Sequence, residues 1–213
     1  MKYRTLTPSE LYPCDIDFLK SQLRITHTAH DLYLQSLIIA ATDWACGFTG
    51  RQINYAILQA YCGYYVNRSF SDLMVIQDAY VFTPGSSFHH RYFSIDKGPV
   101  ISIIKVEYYN TSGVLIEITL SDYFILKEEY STIVYLNDAF TFVDIDTRRK
   151  DCIVITYAAG WGGTATGHVD FPEVIKNAVA LRAAQLYTNP ADGVDEKTSV
   201  SENLLKSFRC PIV

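Results

Sequence analysis

The feature that most constrains this chain is a change of hydrophobic period that occurs twice. To about Gly50 the apolar residues recur at helical spacing: Phe18, Leu19 and Leu23 in one run, then Leu34, Leu37, Ile38, Ala41, Ala45 and Phe48. From about Arg51 to Gly167 the pattern becomes that of strands, with Ile53 to Val66, Leu73 to Phe82, Val100 to Tyr109, Val114 to Leu120, Tyr123 to Leu126, Ile133 to Leu136 and Cys152 to Tyr157. From Asp170 the helical period returns through Val174, Ile175, Ala178, Leu181, Ala184 and Leu186. Three-to-four-residue spacing places side chains on one helix face, whereas alternation places them on one sheet face. The chain therefore predicts an α+β fold, in which N- and C-terminal helices form a bundle core and an antiparallel β-rich domain, a sandwich or small barrel, is inserted between them. The boundaries read as 1–50 for the first helices, 51–170 for the β-rich insertion, 171–190 for the third helix, and 191–213 for a linker and last segment.

Local signals punctuate these zones. Thr7-Pro8-Ser9-Glu10, Asp170-Phe171-Pro172-Glu173 and Ser199-Val200-Ser201-Glu202 each read as a helix start, with a side-chain cap and a carboxylate three residues on. Gly50 and Asn189-Pro190 read as stops. Asn110-Thr111-Ser112-Gly113 has the chemistry of a hairpin turn.

Composition removes several functional classes. With 213 residues, 49% of them hydrophobic, the chain can bury a real core. Eighteen bases against 23 acids give a net charge of −5, the wrong sign for a dedicated nucleic-acid binder. Most of the acidity sits between residues 51 and 170, and no segment is a basic block. No apolar run approaches the ~20 residues of a spanning helix, and the first residues lack the apolar core of a secretory signal. Five dispersed cysteines without a C-x-x-C pair read as reduced thiols.

The apparent chemical motifs carry little. Gly160-Trp161-Gly162-Gly163-Thr164-Ala165 fits a dinucleotide fingerprint by letter, but no helix opens inside the glycines and the preceding strands form a meander, so the run reads as a flexible loop. His27 and His30 lack a third ligand, and His89 and His90 are adjacent, so no metal site is expected. Cys152, His168 and Asp170 could be assembled into a triad on paper, but Cys152 begins a buried strand. No enzyme activity and no cofactor are expected. Arg148-Arg149-Lys150 is flanked by Asp144, Asp146 and Asp151 and reads as a solvated hairpin tip. The 16 tyrosines suit a pleated, half-buried surface, and leave open an aromatic-rich carbohydrate-binding module. The last residues are unusual, because a polar linker leads to Leu204, Leu205, Phe208, Ile212 and Val213, an apolar set suited to a partner's groove.

The order of these elements resembles the head–tail connector (adaptor) proteins of long-tailed bacteriophages and the related gene transfer agents. Four stretches carry the likeness: Leu37-Ile38-Ile39-Ala40-Ala41 running to Phe48-Thr49-Gly50-Arg51; Gly98-Pro99-Val100 through Tyr109, then Gly113 and Asp122-Tyr123; Ile153-Val154-Ile155-Thr156-Tyr157 to Trp161, then Phe171-Pro172 and a helix ending Leu186-Tyr187; and Leu204-Leu205-x-x-Phe208-Arg209. The resemblance implies a structural virion protein of the neck, assembled in the host cytoplasm. It implies a dodecameric ring of this chain, joining the portal protein to a tail-side stopper or tail protein and lining the DNA exit channel without sequence-specific binding. On that footing Leu204, Leu205, Phe208, Arg209, Ile212 and Val213 are expected to dock on the portal, so that removing residues 199 to 213 would spare folding. Leu37, Ala41, Val174 and Leu181 are expected at the ring interface, and Asp144, Asp146, Glu128 and Glu129 to face the channel. A head-to-tail ring needs two different faces.

Overall fold

In the computed structural model the two changes of period become two compact units. Residues 2–8, 11–63, 65–66, 81–82, 92–128, 131–163, 169–189 and 199–210 are described. One unit, of residues 1–8 and 56–159, is built from strands; the other, of residues 9–55 and 160–212, is helical.

The β unit contains two antiparallel sheets and a short parallel pair. The larger sheet has the order β1 (Lys2–Thr7), β2 (Ala56–Cys62), β10 (Ile153–Ala159), β6 (Val100–Tyr109) and β7 (Leu115–Ile118). The smaller has the order β5 (Tyr92–Ile95), β9 (Thr132–Leu136) and β8 (Tyr123–Lys127). Tyr65–Val66 (β3) and Val81–Phe82 (β4) make the parallel pair.

Alternation explains β2. Ala56, Leu58, Ala60 and Cys62 are buried while Ile57, Gln59 and Tyr61 between them are half-buried. By contrast, every residue of β10 is buried, as its unbroken run Ile153-Val154-Ile155-Thr156-Tyr157-Ala158-Ala159 requires of a central strand. Leu58, Val106, Ile153, Ile155 and Tyr157 of the large sheet share one apolar cluster with Phe93, Ile95, Tyr123, Val134 and Leu136 of the small one. Two facing sheets around a common core make this unit a sandwich, which decides between the two expected β architectures. Each such aliphatic side chain contributes roughly 1.5–3 kcal/mol when fully buried.

Polar groups inside the sandwich are matched. The Tyr157 hydroxyl donates to the Lys97 carbonyl at 3.2 Å, and the Tyr3 hydroxyl accepts from the Asp96 N–H at 3.4 Å. Burial pushes both phenols above the ordinary tyrosine value, with Asp96 adding to the effect on each; burial likewise pushes the Cys62 thiol up to about 12. The β6–β7 turn follows the expected chemistry. Asn110 Oδ1 accepts from the N–H groups of Ser112 (3.1 Å) and Val114 (2.8 Å), and Gly113 sits at φ +78°.

The helical unit contains α1 (Ile16–Leu23), α2 (Asp31–Thr49), α3 (Glu173–Thr188) and α4 (Val200–Leu205). Asp15 caps α1 by accepting from the Phe18 N–H at 2.7 Å, and Gly50 closes α2 at φ +70°. Leu19, Leu34, Ile38, Ala41 and Ala45 join Ile175, Ala178, Val179, Ala183 and Leu205 in a second core. Buried Thr42 and Thr49 satisfy their hydroxyls on the Ile38 and Ala45 carbonyls, at 2.8 and 2.7 Å.

Three local expectations are corrected. Lys2–Thr7 is a strand paired antiparallel with β2, so the chain does not begin in the helical zone, and the helix expected after Thr7 starts only at Ile16. At α3 the cap position is Pro172, two residues beyond the expected Asp170, and no side chain caps the helix there. Gly160–Gly163 is not a flexible loop. Trp161 is buried and exchanges backbone hydrogen bonds with Ile53 and Tyr55 at 2.8 Å, and Gly160 adopts φ +101° against the Asn54 carbonyl. Residues 164–168, with His168, and most of the Leu73–Phe82 candidate strand lie outside the described residues.

Two outcomes follow. Gly160→Ala would drive a methyl into the Asn54 backbone at a positive φ, and is expected to cost more than about 2 kcal/mol in urea unfolding. Tyr3 and Tyr157 have raised values in the folded state, so their contribution to stability is full below the unfolded phenol value of about 10 and is lost as the pH rises above it. Thermal melts should therefore fall in temperature above about pH 10, and less steeply for Tyr157→Phe.

Candidate functional site: assembly surfaces

Of the candidate reactive side chains, Cys152, His27 and His30 are among the described residues. Cys152 is fully buried, with its Sγ directed at the Cys62 carbonyl at 3.8 Å. His27 and His30 meet edge to face with ring centres 4.8 Å apart, and His30 Nδ1 is 2.8 Å from the Tyr187 hydroxyl. Among the described residues no group of three or more His, Cys, Asp or Glu could hold a metal ion, and no helix is long and apolar enough to cross a membrane. His89 and His90 are outside the described residues.

Two of the three bases in the triplet are paired locally. Arg148 Nε donates to Asp146 at 2.9 Å and an Arg149 terminal nitrogen donates to Asp151 at 2.9 Å. The Arg149 guanidinium also lies 3.7 Å from the centre of the Tyr109 ring. Hydrogen bonds from these arginines hold the Asp146 and Asp151 carboxyls below the ordinary range. Asp146 thus carries its charge paired with Arg148, as its place beside the basic triplet suggested. Asp144 is exposed, with φ +54°, and exposed Glu128 accepts from the Ser131 hydroxyl at 3.0 Å. Glu129 is outside the described residues.

The last segment differs most from expectation. Ser199 and Glu202 form the full capping box: the Ser199 hydroxyl accepts from the Glu202 N–H at 3.2 Å, and the Ser199 N–H donates to the Glu202 carboxylate at 3.3 Å. That cap directs Leu205 into the helical core, where it is completely buried, with Leu204 and Phe208 packed against the same cluster. The Phe208 ring meets Trp161 edge to face at 6.1 Å, and the Cys210 N–H donates to the Thr49 carbonyl at 2.9 Å. Leu205 is thus withdrawn from the docking set, and Leu204 and Phe208 already serve their own subunit. Arg209 remains exposed, with its guanidinium 5.7 Å from the Phe48 ring centre; Ile212 and Val213 are outside the described residues.

The expected ring residues also divide. Ala41 is completely buried and belongs to the core, because it lies on the α2 face that meets α3. Leu37 is half-buried at the edge of that core. Val174 and Leu181 are exposed, seven residues apart along α3 at the margin of its buried face, with the buried Ala178 between them.

Two apolar surfaces escaped the sequence reading. Leu32 at the start of α2 is 91% exposed, next to exposed Tyr33. On the outer face of the small sheet, Tyr92, Tyr135 and Phe124 stand in register across three strands, with Phe124 and Tyr135 stacked at 4.9 Å. The run Tyr123-Phe124-Ile125-Leu126, apolar on both faces of a strand, was the available signal. Tyr108, Tyr123 and Tyr157 are buried, so these three serve packing rather than a carbohydrate platform.

These features define a class: a two-unit α+β protein whose described surface carries exposed apolar residues on α2, on α3 and on the small sheet. The comparisons agree with that class. The profile of the Phage gp6-like head-tail connector proteins matches residues 14–123, more than half of the sequence, and the chain belongs to that family. Its fold is also that of a chain in the neck of an empty gene transfer agent particle computed with C6 symmetry, at 16% identity and a TM-score of 0.73, covering 100% of this chain and 97% of that one. Chains from the virion of a native gene transfer agent particle (17%, 0.73) and from a native neck computed with C12 symmetry (15%, 0.70) cover the same shares. No match was found among curated proteins. Membership gives the chain a structural connector role in a virion.

The burial of Leu205 reverses the expectation for truncation. Leu205→Ala is expected to cost about 2–5 kcal/mol, and removal of residues 199 to 213 to lower the melting temperature of the chain rather than to leave folding untouched. Val174→Ser and Leu181→Ser should each stay within about 0.5–1 kcal/mol of the parent in the same melts, since both side chains are already wet.

Proposed function

We propose that this chain forms a closed ring of twelve copies in the neck of a phage-like particle. The ring joins the portal protein to a tail-side stopper or tail protein, and encloses the channel through which double-stranded DNA passes. The observation that carries the reading is the family match over residues 14–123, supported by a shared fold with neck chains over the full length. The six- and twelve-fold symmetries applied to those necks support the ring.

Several surface features fit this reading. Val174 and Leu181 offer an apolar stripe on α3, with Leu37 at the margin of the same unit's core, for a neighbouring subunit. Portal contact then rests on Arg209, Ile212 and Val213, beyond the packed Leu205. A net charge of −5 per copy, repeated around a ring, makes a strongly negative annulus. Asp144, Glu128 and Glu129 facing inward would repel the phosphates, so that the duplex slides without finding a register.

The test is capture of the full chain on purified portal rings, with the mass of the complex measured. Wild type should load to a fixed stoichiometry, and Val174→Asp with Leu181→Asp should stay folded but fail to load as a ring. Loading of that variant at the wild-type mass would remove α3 from the interface. Lysine at Asp144 and Glu128 should slow genome ejection, and unchanged kinetics would contradict the channel placement.

A further inference from the structure

The five-stranded sheet ends in two different edges. Among the described residues no strand pairs with the outer side of β1 or with the outer side of β7. Four successive antiparallel pairings separate them, so β1 and β7 run in the same direction.

The outward face of this sheet carries a gradient of charge from one edge to the other. The register places Lys2 beside Tyr61, Tyr61 beside Val154, Val154 beside Glu107 and Glu107 beside Glu117. Arg4 lies two residues from Lys2 and so on the same face, level with Gln59. The β1 edge thus presents two exposed cations, while the β7 end presents two carboxylates directly opposite each other. Like charges opposed across a strand pair are destabilising. Lys105 Nζ reaches one oxygen of Glu107 at 2.8 Å. The other, Oε2, is buried and has no hydrogen-bond partner among the described residues, and Glu107 itself is only 8% exposed. Glu107 Oε2 is covered by its own chain, so the carboxylate open to an approaching cation is the exposed Glu117, and a cation there would also ease the repulsion on Glu107.

We propose that the cation comes from a second copy of this chain: β1 of one subunit lies alongside β7 of the next, bringing Lys2 and Arg4 to Glu117, beside Glu107. This deepens the ring reading and rests on it. Pairing β1 with β1, or β7 with β7, would be two-fold and would close as a dimer, whereas β1 with β7 is head to tail and propagates. A turn of one-sixth or one-twelfth of a circle keeps the strands in the same sense, so the join is parallel. It continues the five-stranded sheet from subunit to subunit and covers two open edges at once.

Sedimentation velocity of the full chain across a concentration series, alone and on portal rings, tests this, with circular dichroism as the check on folding. Lys2→Glu with Arg4→Glu, and separately Glu117→Lys, should each weaken self-association about tenfold or more. The triple variant carrying all three reversals should recover it. Glu117→Gln separates assembly from folding: it should raise the urea midpoint by relieving Glu107 while weakening assembly, a pair of opposite shifts that a purely structural glutamate would not give. Reversals that associate like wild type, or a triple variant no better than its parents, would overturn the β1–β7 contact while leaving the ring intact. A wild-type chain that stays monomeric both alone and on portal rings would overturn the ring reading and this contact with it.

Discussion

Strand β10 must be paired along both sides and covered on both faces, and the rest of the β unit follows from that. Its seven residues carry two β-branched aliphatics of full size, a valine, a threonine and a tyrosine that find no water, and its backbone groups are taken by β2 on one side and β6 on the other. Filling the centre in this way pushes β1 and β7 to the margins. It also turns Ile153, Ile155 and Tyr157 toward the small sheet, leaving Val154 and Thr156 among the polar side chains of the outer face. The two sheet edges available for assembly are therefore a consequence of how the core is satisfied.

The helical unit shows the same economy. Alanines at 41 and 45 on α2 share a core with alanines at 178 and 183 on α3, so the two helices bury small side chains and leave their larger apolar residues in two places. Leu19, Leu34, Ile175 and Leu205 fill the interior, while Val174, Leu181 and Leu32 stay outside. A single chain gains nothing from wetting Val174 and Leu181. In a connector they are the kind of residue that an adjoining subunit can dry.

Much of this was legible in the residues. Period alone located α2, α3, the β6–β7 hairpin and β10, because each has either a strong stripe or an unbroken apolar run. The capping box at Ser199 was legible because both partners are local. What failed was tertiary. Lys2–Thr7 is an exposed edge strand with little apolar alternation, and the following Thr-Pro-Ser-Glu imitates a helix start, so its pairing with β2 about fifty residues away left no local trace. Leu205 follows a polar linker and looked detachable, yet burial depends on where α4 lands. The glycines at 160–163 read as freedom when their purpose is close approach of backbone and ring, as Asn54 and Phe171 show. Ala41 was misplaced for a related reason: periodicity finds the apolar face of a helix but does not say whether its own chain or a neighbour covers it. The family resemblance supplied the connector role, and the geometry then redistributed the residues expected to carry it.

The central claim is that the surfaces of this subunit serve contact between copies around a closed ring. The most direct measurement is the native mass of the neck component recovered from assembled particles and released from its partners. The account predicts one discrete species of twelve copies, with no shorter or longer series. A single copy, a two-fold dimer, or an open ladder of masses would contradict it.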